Sequence, residues 1–331
     1  MDSLKPFNAV AAALALLPAC HGVATAQPSG TELTYPEKPI RLVVPFSPGG
    51  SGAIISHLVG AKLTDRWGKP VLVDYRGGGS GVIGAQIAAK ANPDGYTLLF
   101  VTSSTIVLNP LISKVPFDPI KDFAPIIWVS SVPFVLLLHP AIAVRSVKEL
   151  ISHAKSKPRT LNFSSGGNGS IGHLSGELFN VVTGSQLVHV AYKGGGPALV
   201  GVIGGEVQVA FENLLPALPF VTSEQLRALA VTTRNRSSSL PELPTMHEAG
   251  VNGYDVQQWN GFLAPARTPR NIVLKLNREI GAIINTPEVR EPLARQGAEV
   301  AGGSPEKLAD HMLAESRKWA QVIKDAGLRF D

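Results

Sequence analysis

The chain has 331 residues, 44% hydrophobic and 17% charged, with 33 Gly, 26 Pro and a single Cys. At ~150 residues per domain this length suggests about two domains, and the apolar content excludes disorder, collagen and coiled coil. One Cys excludes a disulfide framework, and a net charge of +5 (30 Lys and Arg against 25 Asp and Glu) leans mildly toward anionic small molecules.

The N-terminus carries Lys5, an apolar stretch from Phe7 to Leu17, and Ala24-Thr-Ala26 before Gln27. A short charged region, an apolar core of roughly 10 residues and an A-x-A site describe a secretory signal peptide over 1–26. That core falls short of the ~20 apolar residues a membrane span needs, so the reading is a soluble exported protein. Leu17-Pro-Ala-Cys20 approximates a lipoprotein box, but Pro at its second position is unusual and the A-x-A site fits better. Cleavage after Ala26 removes the only thiol, and it leaves the charge at +5 because Asp2 and Lys5 depart together.

Beyond the leader, β-rich runs alternate with amphipathic helices. Ile40-Arg-Leu-Val-Val-Pro45 reads as a strand, Pro48-Gly-Gly50 as a turn, and Ile54 to Trp67 as a helix. Val71 to Asp74, Gly77 to Gly81 and Ile83 to Ala91 repeat that strand, turn and helix. Thr97 to Val101 is a third strand, ending in Thr102-Ser-Ser-Thr105. This βαβαβ order predicts a parallel sheet with ligands at the carboxyl ends of its strands.

The pattern then restarts. Phe134 to Leu138 reads as a strand, and Ser146-Val-Lys-Glu149 as a capping box opening a helix to Ser156. Leu161 to Ser164, the turn Gly166 to Ser170 and a helix from Ile171 to Val182 follow. After them come a strand at Val188 to Ala191, the turn Lys193 to Gly196 and a helix from Pro197 to Ile203. Val207 to Phe211 is a strand ending in Glu212-Asn213. Thr268-Pro269, Thr286-Pro287 and Ser304-Pro305 each set a capping hydroxyl before a Pro suited to a first helical turn. Two βαβ systems imply two α/β lobes, and the strand-like Asp255 to Leu263 can return the chain to the first.

Four strand-to-helix junctions carry Gly with Ser, Asn or Lys: Ser47 to Gly52, Gly77 to Gly81, Ser164 to Ser170, and Lys193 to Gly196. Gly lets the backbone approach a ligand closely, and the helix that follows offers unpaired N–H groups to a carboxylate or phosphate. Each charge-assisted hydrogen bond contributes roughly 1.5–3 kcal/mol, so several such ends around one cleft can hold an anion at micromolar affinity without Arg. With Ser103, Ser104 and Thr105 at a further strand end, the turns predict an anion cleft.

Other motifs carry less. Gly79-Ser-Gly-Val-Ile-Gly84 matches G-x-G-x-x-G, but the next strand ends in hydroxyls where a dinucleotide site wants an acid. Ser152-His-Ala-Lys155 matches S-x-x-K on a solvated helix face, with no Lys-Thr-Gly after it. No Ser stands in G-x-S-x-G, and the eight His include no H-E-x-x-H. The densest basic run, Lys155-Ser-Lys-Pro-Arg159, is a helix end and not a nucleic-acid patch. His189 sits in an apolar strand, and spacing assembles no catalytic set.

The run from Tyr35 to Gly50 (YPEKPIRLVVPFSPGG) resembles the Bug proteins, the substrate-binding receptors of tripartite tricarboxylate transporters. The likeness continues through Pro93 to Leu99, Phe117 to Pro125, Gly167 to Ser170 with His173, Tyr192 to Gly194, and Gly261 to Pro265. It implies an α/β fold of the type II periplasmic binding protein kind, with a ligand cleft between two lobes joined by crossover strands. On this reading lobe 1 comprises 35–136 and 256–331, and lobe 2 comprises 137–255. The implied first-lobe contacts are Phe46, Ser47, Gly50, Ser51, Ser103, Ser104 and Thr105. Those of the second lobe are Ser164, Ser165, Asn168, Ser170, His173, Glu212 and Asn213.

No cofactor, metal or catalytic residue is expected, and the implied partners are a small carboxylate and membrane transporter subunits, with a monomeric receptor in the periplasm. A sensor kinase is the alternative membrane partner, and chemistry by Glu212 and His173 is the enzymatic alternative. Many relatives place Asp four residues into Pro-Gly-Gly-x-x-Asp, where this chain has Ala53. Without that carboxylate a ligand ammonium would go unpaired, so the expected ligand carries carboxylates on an uncharged body, aliphatic or aromatic.

Overall fold

The computed structural model describes residues 1–2, 34–295 and 297–325. The chain divides into Met1–Thr34 and Tyr35–Asp331. Apart from its first two residues, the predicted signal peptide with Cys20 lies outside the described residues. Among the described residues no helix is long and apolar enough to cross a membrane.

Strands β1 (Ile40–Val44), β2 (Val71–Tyr75) and β3 (Thr97–Thr102) are parallel, with β1 between the other two. Helix α1 (Ser51–Trp67) joins the first pair and α2 (Val82–Ala89) the second. Helix α1 stops where Gly68 turns left-handed at φ 62 and returns its N–H to Thr64 O, a conformation that suits Gly because it lacks Cβ. After β3 the backbone winds through a π-helical segment, Ser104–Leu108, into the short α3 (Asn109–Ile112).

The chain then enters β4 (Phe123–Leu138), whose 16 residues far exceed the expected strand at Phe134 to Leu138. Pro125 and Pro133 conceal the longer strand in the sequence, because a Pro gives the ladder no N–H. The pairing register shifts between Pro125 and Ile127 and again between Trp128 and Ser130.

Helix α4 (Val147–Ser156) follows, its capping box realised by Ser146 Oγ accepting from Glu149 N and Glu149 Oε2 accepting from Arg145 N. Next come β5 (Asn162–Ser165), α5 (Ile171–Thr183), β6 (Val188–Ala191) and α6 (Gly195–Ile203). The chain continues through β7 (Val209–Asn213), α7 (Leu214–Thr222), β8 (Arg227–Val231) and β9 (Gln257–Pro265). Helices α8 (Arg270–Ile284) and α9 (Pro287–Arg295), strand β10 (Glu299–Val300) and helix α10 (Pro305–Asp325) end the described chain.

Two of the three late capping hydroxyls act differently from expectation. Thr268 Oγ1 donates to Pro265 O and Thr286 Oγ1 to Ile283 O, so both tie the incoming chain and leave the helix that follows uncapped by them. Ser304 Oγ does accept from Lys307 N, as a cap should.

Pairing along β4 explains the architecture. From Phe123 to Pro133 it lies antiparallel to β9, which also pairs with β3, and β10 pairs at Ser130 and Ser131. From Phe134 to Leu138 it lies antiparallel to β7 and β8, and β7 continues into the parallel strands β5 and β6. One strand thus belongs to both sheets, and β9 runs back beside it.

Thr232 sits fully buried where the two sheets meet. Its Oγ1 lies 2.6 Å from Val256 O and accepts from Phe134 N at 3.0 Å, clasping β4 to the start of the return segment. Replacing it by Val keeps the shape and strands both backbone partners, so Thr232→Val is expected to lower stability by about 1–3 kcal/mol in urea denaturation. A loss below about 0.5 kcal/mol would show that the clasp contributes nothing.

Phe100 on β3 and Phe262 on β9 meet edge-on, and Phe163, Phe179 and Phe211 pack together beside β5 and β7, all but fully buried.

Candidate functional site

The carboxyl ends of β3, β5 and β7 and the turns after them close on one small cavity of about 40 Å³. Four helix N-termini converge there. Gly50, Ser51 and Gly52 come from α1, Ser170, Ile171 and Gly172 from α5, Gly195 from α6, and Asn213 from the start of α7. Helices α1 and α6 begin at Gly50 and Gly194 with no side-chain cap, leaving first-turn N–H groups for another acceptor. Among the described residues no Lys or Arg lines the cavity, so its attraction for an anion rests on backbone N–H groups, helix ends and amides.

Asn213 shows what such a cavity wants. Its Oδ1 accepts from Leu215 N and caps α7, which directs Nδ2 elsewhere. Nδ2 is buried and has no hydrogen-bond partner among the described residues, on a side chain only 2% exposed. A buried amide donor without an acceptor costs about 1–3 kcal/mol, and a ligand oxygen recovers it.

A buried polar chain shapes the first-lobe wall. Gln258 Nε2 lies 3.1 Å from Ser51 Oγ and 2.8 Å from Asn260 Oδ1, and Asn260 Nδ2 donates to Ser130 Oγ. The crossing strands thereby hold the first turn of α1 in place.

The lobes meet through direct contacts around this cavity. Ser104 Oγ accepts from Ile171 N at 3.0 Å, Ser47 N donates to Lys193 O at 3.2 Å, and Ser80 Oγ donates to Asn168 O. Pro48 and Gly49 abut Gly196 so closely that a Cβ there would lie 2.3 Å from Pro48 O. These contacts describe a closed cleft.

Of the residues expected at the site, Phe46, Gly50, Ser51, Ser104, Ser170, Glu212 and Asn213 line the cavity. The others stand behind or beside it. Ser47 contributes its main chain to the contact with Lys193. Ser103 is buried, its hydroxyl without a hydrogen-bond partner among the described residues, and Thr105 Oγ1 lies among Ser80 O and Thr102 Oγ1. Ser164 Oγ donates to Ala198 O, fixing α6 on β5, and Ser165 Oγ lies 2.6 Å from His189 Nε2. Asn168 lines a neighbouring pocket of about 260 Å³ together with Gly78, Gly79 and Ser80. The Gly77 to Gly81 turn therefore borders this second pocket and not the main cavity.

His173 Nδ1 accepts from Gly169 N at 3.1 Å, and its ring stacks on His189 with centroids 3.8 Å apart. Burial pushes His173 down to about 4, and burial with the neighbouring imidazole pushes His189 to about 3. Both rings are thus neutral near pH 7, and His173 braces the Gly166 to Ser170 turn from outside the cavity wall. Glu212 does line the cavity; burial raises its carboxyl to about 7, partly offset by the N–H of Asn213.

Sequence reasoning missed Phe134 and Gln258, which reach the cavity from the crossing strands β4 and β9. No local motif marks them, because strand pairing between distant segments brings them there. It also did not single out Gly172 and Gly195 individually. A Cβ would lie 2.6 Å from Phe211 O at Gly172, which needs the bare backbone, and 2.6 Å from Glu212 Oε1 at Gly195, where the carboxyl would have to move.

The family model described as "Tripartite tricarboxylate transporter family receptor" matches residues 55–328. The chain belongs to this receptor family. It is 36% identical over 298 residues to the protein BugT of Bordetella pertussis (strain Tohama I), an alignment covering 89% of this chain and 91% of that one. Among solved structures, an R. palustris protein with adipate superposes at a TM-score of 0.87 with 38% identity, covering 89% of this chain and 99% of that chain. The periplasmic binding protein BugD superposes at 0.86 with 32% identity over the same shares. The fold is accordingly the two-lobed α/β fold of periplasmic binding proteins, with the cleft between the lobes.

Proposed function

We propose that this tripartite tricarboxylate transporter family receptor is exported to the periplasm, captures a small carboxylate by closing its lobes, and delivers it to a tripartite membrane transporter. On this proposal the moving bodies are 35–136 with 256–331 and 137–255, turning about β4 and β9. Closure shifts toward the ligand-bound state because the ligand touches both lobes only when they meet. The observation that carries the reading is the ring of helix N-termini, with the unpaired Nδ2 of Asn213 and no basic side chain among the described lining residues. The adipate bound to the R. palustris relative supports the ligand class.

With Ala53 where the family resemblance implies an Asp, the ligand proposed has an uncharged body, aliphatic or aromatic, bearing one or two carboxylates. Calorimetry in which glutamate or aspartate binds more tightly than every carboxylate without an amino group would overturn that part.

A thermal-shift screen of mono-, di- and tricarboxylates tests the site. At least one should raise the melting temperature of the wild type. Asn213→Asp keeps a capping oxygen for α7 while replacing the donor by a negative charge, so its carboxylate affinity should fall at least about tenfold with little loss of stability. If no carboxylate shifts the wild type, or Asn213→Asp responds equally well, the reading fails.

A further inference from the structure

We propose that Glu212 enters the ligand complex as the neutral carboxylic acid and donates its O–H to a carboxylate oxygen of the ligand, so that capture takes up one proton from solvent. The proposal rests on the carboxylate-receptor reading and assigns a protonation state to one residue of that site.

Its basis is the isolation of this carboxyl. Glu212 is 4% exposed and lines the cavity, and among the described residues it is the only ionisable side chain that does so. The elements around it supply no cation. Strands β4, β5 and β9 and helix α7 contain no ionisable side chain at all, and β7 contains only Glu212. On α5 and β6 the nearest titratable groups are His173 and His189, both held neutral by burial. Lys193, at the turn before α6, is exposed. On α1 the first titratable residue is His57, beyond the residues that line the cavity.

Within the carboxyl the roles divide. Oε1 accepts from Asn213 N at 2.8 Å, which leaves Oε2 to carry the proton. A ligand carboxylate in a space of about 40 Å³ beside an ionised Glu212 would set two negative charges together with no cation between them. Like charges sharing a site keep one proton between them, and the Glu212 carboxyl is already raised to about 7, burial outweighing the hydrogen bond from Asn213 N. As an acid, Glu212 joins Asn213 Nδ2 as a second side-chain donor.

The sign of the pH dependence follows. Only the protonated protein binds, so affinity is full below about 7 and falls tenfold per unit above it. Ordinary carboxyls titrate near 4, and those of adipate, malate and benzoate stay ionised throughout this range. Calorimetry of the purified protein with these three carboxylates provides the test. From pH 6.5 to 8.5 the affinity of any binder should fall about twenty-five-fold, and at pH 8.5 the difference in heat between Tris and phosphate should report about one proton taken up. In Glu212→Gln the donor is neutral at every pH, so the ratio between the two pH values should shrink to within about twofold, whatever the absolute affinity.

A carboxylate that binds the wild type with no pH dependence and no proton uptake overturns this proposal and leaves the receptor reading intact. Affinity that rises with pH overturns it as well, because the ionised form of Glu212 would then be the one that binds. If no carboxylate binds at all, both fall. Should Glu212→Gln fail to fold, proton uptake by the wild type decides alone.

Discussion

Gly196→Val is expected to weaken carboxylate binding at least a hundredfold at only a small cost to the stability of the unliganded protein. A Cβ at this position would lie 2.3 Å from Pro48 O and 2.9 Å from Gly49 Cα, both on the opposite lobe. Neither neighbour is the flexible end of a side chain, so the lobes must separate to admit it. Gly196 lies in the first turn of α6 without a positive φ, so the substitution acts mainly on the closed contact, with a smaller local cost because a Cβ on the residue before Pro197 is disfavoured in the helical region. Apparent affinity scales with the fraction of protein able to close, and shifting that equilibrium by about 2.7 kcal/mol costs a factor of about 100. On the proposal that the unliganded lobes open, the melting temperature without ligand should fall by no more than about 4 °C, the local cost of a side chain before Pro197. Small-angle scattering should show ligand compacting the wild type but not the variant. A Gly196→Val protein that binds as tightly as the wild type would show that the Pro48–Gly196 contact is no part of the bound state.

The first βαβ system and the turns of the second were legible in the sequence because their signals are local. Strand, Gly-rich turn and helix follow one another within a few tens of residues, so turn chemistry and strand ends mark the turns that hold Ser51 and Ser170 and the strand end at Ser104, while Asn213 and Glu212 are named as contacts only through the family resemblance. What could not be read depends on pairing across the chain. The 16 residues of β4 are broken on paper by Pro125 and Pro133, and only β9, over a hundred residues later, makes them one strand. Phe134 and Gln258 reach the cavity through that pairing. The Gly77 to Gly81 turn looked equivalent to its fellows, yet it borders the adjoining pocket, because Ser80 is drawn to Asn168. Glu212 could be named, but its protonation could not. That depends on burial and on Gly195 passing over its carboxyl, a close approach no local pattern announces.

The packing that presents the second-lobe turns leads to a stability prediction. Phe163 on β5 is fully buried, meets Phe211 edge-on at 6.1 Å and lies 5.0 Å from the His189 ring. Helix α5 comes so near that a Cβ on Gly176 would lie 2.1 Å from the Phe163 ring. Phe163→Ala should therefore cost about 3–5 kcal/mol, seen as a fall in melting temperature on the order of 10 °C. Gly176→Ala should also destabilise. The overpacking penalty of about 1–3 kcal/mol exceeds the helix-propensity gain of about 1 kcal/mol once the ring is forced aside. The two changes should not add. With the ring gone, the new methyl enters the void and the propensity gain survives, so the double variant should be more stable than Phe163→Ala alone. A double-mutant cycle in urea should give a coupling of at least about 1 kcal/mol. Strict additivity would mean that α5 relaxes away from β5 without cost. In that case neither the close approach of helix and ring nor the position of the Gly166 to Ser170 turn between them is enforced by this glycine.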